Sequence, residues 1–178
     1  MQFVVLLRGV NVGGVKVKMA QLCAACEAAG LRQVRSYIAS GNIVLEADLP
    51  SHEVSQIVHD AIEREFGLSI DVVALTAAAF VDLLSECPVE PEKGNMLHAF
   101  VPFGPYDLDQ DKVTELKRDS DQVIRTTSAL WLHTPEGFGT SKLAERLPRL
   151  TGGTPITGRN LNTMRKLAEM LDAMAGAC

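Results

Sequence analysis

The order in which short apolar runs alternate with amphipathic stretches constrains this chain more than any single motif. Residues 3–7, FVVLL, form an unbroken apolar run of strand length, the pattern of a strand buried on both faces. Residues 19–29 set Met19, Leu22, Cys23 and Cys26 at i, i+3, i+4 and i+7, one face of a helix, with Gly30 as its C-terminal cap. Residues 34–39 and 43–46 read as strands around the turn residues Ser40, Gly41 and Asn42, hence a β-hairpin. Pro50 and Ser51 open a helix to about Phe66, with Val54, Ile57, Val58, Ala61, Ile62 and Phe66 on one face. Gly67 ends it, and residues 70–75 make a fourth strand. The order β-α-β-β-α-β over about 75 residues is that of a ferredoxin-like split βαβ unit within the α+β class. It predicts an antiparallel or mixed four-stranded sheet with both helices on one face.

The second half reads as a looser version. Thr76 caps a helix to about Glu86, and residues 88–95 form a polar loop. A strand follows at 96–101, a short helix at 109–117 and a hairpin at 121–127 and 129–133. Residues 135–140 are a loop, 141–147 a helical turn or two, and 161–174 a closing helix. The pattern β-α-β-β-α recurs without an obvious final strand. No direct repeat links the halves. The expected division is a ferredoxin-like half at 1–87 and a C-terminal α+β half at 88–178, with 76–87 able to belong to either.

Hydrophobic residues make up 47% of 178, enough for an interior without disulfides or metal. Seventeen Lys and Arg against 22 Asp and Glu leave a net charge of −5, the wrong sign for a non-specific nucleic-acid binder. A local basic patch stays compatible with that total. Cys23 and Cys26 form a CxxC inside an apolar helical stretch, with no second CxxC or His pair to complete a zinc site. They read as packing residues; Cys87 stands alone and Cys178 is terminal. No apolar run approaches the ~20 residues that span a bilayer. The N-terminus lacks a basic n-region and a small-residue cleavage site, so a cytoplasmic location is expected.

Four segments can carry chemistry. In the first, Arg8 ends the opening strand, and Gly9, Asn11, Gly13 and Gly14 allow sharp turns before Lys16 and Lys18. A glycine-bearing, cationic loop between strand and helix suits an anion. It is neither a Walker A loop nor GxGxxG, so its spacing alone also fits a plain βα connection. Arg8 must pair with a carboxylate, cap backbone carbonyls or reach a ligand, because an unpaired charge at a buried strand end costs several kcal/mol. In the second, Ser40 and Asn42 flank Gly41 and could present a hydroxyl and an amide at the sheet edge. In the third, Thr140 or Ser141 caps a helix whose first turn holds Lys142, a cation opposed to the helix dipole. In the fourth, Thr157 or Asn160 caps the last helix, Arg159 adds charge at its start, and Asn160 and Asn162 add amides.

Catalytic patterns are thin. His52, His59, His98 and His133 are scattered, and neither GxSxG nor HExxH occurs. No residue pattern specifies a cofactor, a metal or an oligomeric state.

At the same four segments the chain closely resembles a bacterial family known as domain of unknown function 1697. Its members carry LLRGINVGG, and residues 6–14 here read LLRGVNVGG. A TYIQSGN-like block is matched by residues 36–42, a Gly-x-SKL block by 139–143 and a TRNWNT-like block by 158–163. The resemblance implies ferredoxin-like α+β units and no established activity, substrate or cofactor. Ala39 replaces a glutamine, Leu161 replaces an aromatic, and residues 74–76 lack an arginine that members often show. If that arginine binds a ligand, this chain has lost the contact.

The leading expectation is a protein that binds an anionic small molecule, a nucleotide or phosphometabolite. The expected cleft is lined by Arg8, Asn11, Gly13, Gly14, Lys16, Ser40, Gly41, Asn42, Ser141, Lys142, Arg159, Asn160 and Asn162. Arg8, Asn11, Ser40, Asn42, Lys142 and Arg159 should share it. A nucleic-acid module and a protein-interaction module are the alternatives; aromatic content of 5% and the acidic charge disfavour the former.

Overall fold

The structure, a computed structural model, describes residues 1–176, so Cys178 lies outside the described residues. The chain divides into two compact units, residues 1–81 together with 166 onward, and residues 82–165. The sequence reading drew its boundary later, after residue 87. Both divisions fall inside uninterrupted helices, Ala77–Ser85 (α3) and Leu161–Ala175 (α6), where no change of composition marks them.

The first unit runs β1 (Gln2–Leu7), α1 (Met19–Ala28), β2 (Arg32–Tyr37), β3 (Asn42–Glu46), α2 (Ser51–Phe66) and β4 (Val72–Thr76). Its strands are ordered β2-β3-β1-β4, and every pairing is antiparallel. β1 is central: Phe3 opposes Leu45 on one side and Thr76 on the other. Phe3, Val4, Val5, Leu6 and Leu7 are all fully buried, which is why this run does not alternate with polar residues. Phe3, Val5 and Leu7 share a core with Leu22 and Cys26 of α1 and with Val54, Val58, Ala61 and Ile62 of α2. Both helices therefore cover one sheet face, as the split βαβ order predicts. Gly67 closes α2 at φ 64°, its N–H donating to Glu63 O at 2.9 Å, so the C-terminal stop is of the left-handed kind.

The second unit holds β5 (Leu97–Pro102), α4 (Gln110–Leu116), β6 (Gln122–Arg125), β7 (Leu130–His133), α5 (Lys142–Arg146) and β8 (Ile156–Asn160), which leads into α6. The order β6-β7-β5-β8, again wholly antiparallel, repeats that of the first sheet. The expectation that this half lacks a final strand is corrected: β8 is that strand, paired along β5 from His98↔Asn160 to Pro102↔Ile156. Ile156 is its one strongly apolar residue, so it shows neither an apolar run nor a clear alternation. The register still exploits its composition, because a Cβ on Gly158 would come within 2.7 Å of the Phe100 ring. Phe100, Leu130, Leu132 and Ile156 face Val113 of α4 and Leu143, Ala144 and Leu147 around α5. Among the described residues, no helix is long and apolar enough to cross a membrane.

Candidate functional site

The first motif residues gather at one end of the first sheet, where Leu6 opposes Asn42. Arg8 follows directly after β1 and takes the first of its three options. Its Nη1 donates to Asp71 Oδ2 at 2.9 Å, and its backbone N–H to Asp71 O at 3.0 Å. Both side chains are substantially exposed, so the pair carries little energy.

Asn11 is more committed. It adopts φ 54°, in the left-handed region that asparagine tolerates. Its Nδ2 donates to Val17 O at 3.1 Å and to Ala39 O at 2.5 Å, and its Oδ1 accepts from Val17 N at 3.0 Å. One side chain thus closes the loop on itself and ties it to the β2–β3 turn. Val10 and Val17 anchor the loop in the core. Gly13 and Gly14, both at positive φ, form its exposed tip. Residues 11–18 enclose a shallow depression of about 410 Å³, with Lys16 and Lys18 on its wall.

The turn itself is tight. Gly41 has φ 83°, and a Cβ there would stand 2.5 Å from Val10 Cγ2 and 2.7 Å from Leu7 Cβ. Its carbonyl accepts from Leu7 N at 2.9 Å. Asn42 is fully buried, and its Nδ2 donates to Tyr37 O and Ser40 Oγ at 3.0 Å each. Ile38, β-branched yet at φ 49°, is 52% exposed and strained.

In the second unit, Ser141 caps α5: its Oγ accepts from Ala144 N at 3.2 Å and donates to Asp121 Oδ2 at 3.4 Å. Lys142 beside it is exposed. Arg159 is not at an open helix start. It lies in β8 at 7% exposure, with Nη1 donating to Thr157 Oγ1 at 2.9 Å and Gly158 O at 2.8 Å. Burial draws its pKa down to about 10, which leaves it charged at neutral pH. Asn160 caps α6 through Oδ1, accepting from Thr163 N at 2.9 Å. Asn162, in the first turn of α6, is exposed and packs beside Gly94.

Of the six residues expected to share one cleft, Arg8, Asn11, Ser40 and Asn42 belong to the first unit. Lys142 and Arg159 belong to the second. The latter two do not converge. Gly158 faces Phe100 on the side that α5 covers, so the next residue, Arg159, points to the opposite sheet face.

Sequence reasoning overlooked two features here. His98 stacks on Phe138 with ring centroids 3.6 Å apart, and burial pulls its pKa down to about 4. Asp121 is 1% exposed; its Oδ2 accepts from Arg118 N at 3.1 Å, while its Oδ1 has no hydrogen-bond partner among the described residues. His98 was visible only as a strand histidine of undecided facing. Asp121 carried no signal.

The sequence also undervalued α4 and α5 together. Lys112, Lys142, Arg146 and Arg149 line a groove of about 420 Å³ whose remaining wall is Leu116, Leu150 and Glu145. Lys112 pairs with Glu115 at 2.7 Å and Arg146 approaches Glu145 at 3.9 Å. Lys142 and Arg149 have no ion pair among the described residues. The CxxC thiols offer no rival chemistry: burial pushes Cys26 up to about 12 and raises Cys23, so neither is a thiolate at neutral pH.

Comparison with known proteins agrees with this architecture. No curated protein matches the chain. The solved structure titled "The structure of conserved bacterial protein SP0830 from Streptococcus pneumoniae" is 21% identical, with a TM-score of 0.69 over 96% of this chain and 98% of that one. At that identity the likeness speaks for the fold alone. Residues 1–131 match the family described as "Protein of unknown function (DUF1697)", the family that the four motif blocks resemble, and the chain belongs to it.

Proposed function

We propose that the protein binds an anionic small molecule, a nucleotide or phosphometabolite, in the groove between α4 and α5. The observation that carries this reading is the gathering of Lys112, Lys142, Arg146 and Arg149 around Leu116 and Leu150, in a chain of net charge −5. Four cations against one lining carboxylate favour phosphate groups. The two leucines offer apolar surface to a ligand body. Lys142 is the share of the SKL block in this site. Ser141 holds the start of α5, and the first-unit motifs hold their own loop and turn.

A thermal-shift screen against nucleotides, sugar phosphates and pyrophosphate tests the reading. A ligand at 100 times its dissociation constant adds roughly 2.7 kcal/mol of stability. The shift should shrink in Lys142→Ala and Arg149→Ala, whose own melting temperatures should match wild type because both side chains are exposed. A ligand that shifts both variants as much as wild type would place its site elsewhere.

A further inference from the structure

The solvent side of α2 carries His59, Asp60 and Glu63, and one ligand atom from each lies within 4.8 Å of the others. The spacing i, i+1, i+4 puts all three on about a 100° arc of one helix. Three donors about 2.1 Å from a common ion stand roughly 3.4 Å apart in tetrahedral geometry. Asp60 and Glu63 are exposed, so ordinary side-chain rotation closes the difference.

The imidazole sets this group apart from a chance acidic patch. His59 Nδ1 lies 2.8 Å from Ile70 O. A carbonyl oxygen only accepts, so Nδ1 carries the proton and the lone pair of Nε2 is left as the ring's donor atom. A ring nitrogen held by a backbone carbonyl, with the other nitrogen directed at an ion, is the usual arrangement of a metal-binding histidine. The carboxylate of Asp60 is held in turn, its Oδ1 accepting from Gln56 Nε2 at 2.7 Å.

We propose that His59, Asp60 and Glu63 bind a divalent first-row transition ion, with water completing its coordination. An imidazole with two carboxylates suits zinc, cobalt or nickel better than magnesium or calcium, which favour all-oxygen sets. The site lies wholly in the first unit and is independent of the groove between α4 and α5.

The test is isothermal titration of the untagged full chain with zinc and with cobalt, which also reports through its visible absorption. One ion per chain is expected. Glu63→Gln, an exposed change that leaves the fold intact, should weaken binding at least roughly tenfold, the loss typical of even an outer-shell partner. His59→Gln should do the same. His52→Ala, on the same helix outside the triad, should bind as wild type. The proposal is overturned by no binding at millimolar ion, by Glu63→Gln binding as tightly as wild type, or by loss of the site in His52→Ala.

Discussion

The two units share a strand order and differ in how their polar side chains are used. Motif residues of both units turn back onto backbone: Asn11 holds Val17 and Ala39, Asn42 holds Tyr37, and Ser141 and Asn160 accept from Ala144 N and Thr163 N. In the second unit, four buried polar atoms have no hydrogen-bond partner among the described residues, namely His98 Nδ1, Asp121 Oδ1, Trp131 Nε1 and His133 Nδ1. The cation-lined groove belongs to the same unit. A repeated topology thus does not repeat the polar economy. The first unit's motif side chains hold a loop and a turn, whereas the second unit's unpaired atoms belong to residues outside the cation-lined groove.

The largest expected effect probes the first unit's close packing. Gly41→Ala combines a positive φ with a Cβ pressed on Val10 and Leu7, and should cost at least about 3 kcal/mol in urea unfolding. Gly158→Ala, pressed on Phe100 without a positive φ, should cost less, about 1–3 kcal/mol. Equal costs would erase the contrast between turn and strand.

The next probes His98, one of two second-unit histidines with an unpaired buried ring nitrogen among the described residues. The pKa of His98 falls from 6.5 to about 4 on folding because burial disfavours the imidazolium. The unfolded chain therefore binds more protons between those values. Stability should be full above pH 6.5, decline as pH falls toward 4, and decline no further on this account below it, a total of at most about 3 kcal/mol. His98→Phe should flatten that slope in chemical denaturation across the window. An unchanged slope would mean that His98 is hydrated.

Most of the first unit was legible because its elements follow local rules. An apolar run, a helical stripe and a glycine stop each act within one segment. β8 was not legible, since Thr157 and Arg159 are buried polar residues whose fate depends on β5 rather than on their neighbours in sequence. The four motif segments stood out as polar and glycine-rich. Composition does not tell whether an amide such as Asn11 faces a ligand or its own backbone. The groove was legible only in part: Lys142 lies in a motif block, whereas Lys112, Arg146 and Arg149 belong to none and come together only where α4 meets α5.

Two smaller effects sharpen the comparison within the first unit. Asn11→Ala removes three hydrogen bonds to backbone and should cost about 2 kcal/mol in the same unfolding assay. Arg8→Ala removes one exposed ion pair and should cost less than about 1 kcal/mol, a melting shift of about 2–4 °C at most. The reverse ranking would make Arg8, not Asn11, the organiser of the loop.

The claim that the second unit carries the anion site is tested most directly by calorimetric titration of pyrophosphate and adenine nucleotides into wild type, Arg149→Ala and Lys16→Ala. Binding to wild type should be weakened at least roughly tenfold, about 1.4 kcal/mol, in Arg149→Ala, and unchanged in Lys16→Ala, whose side chain belongs to the first unit. Binding lost in Lys16→Ala and kept in Arg149→Ala would contradict the account and return the site to the N-terminal loop.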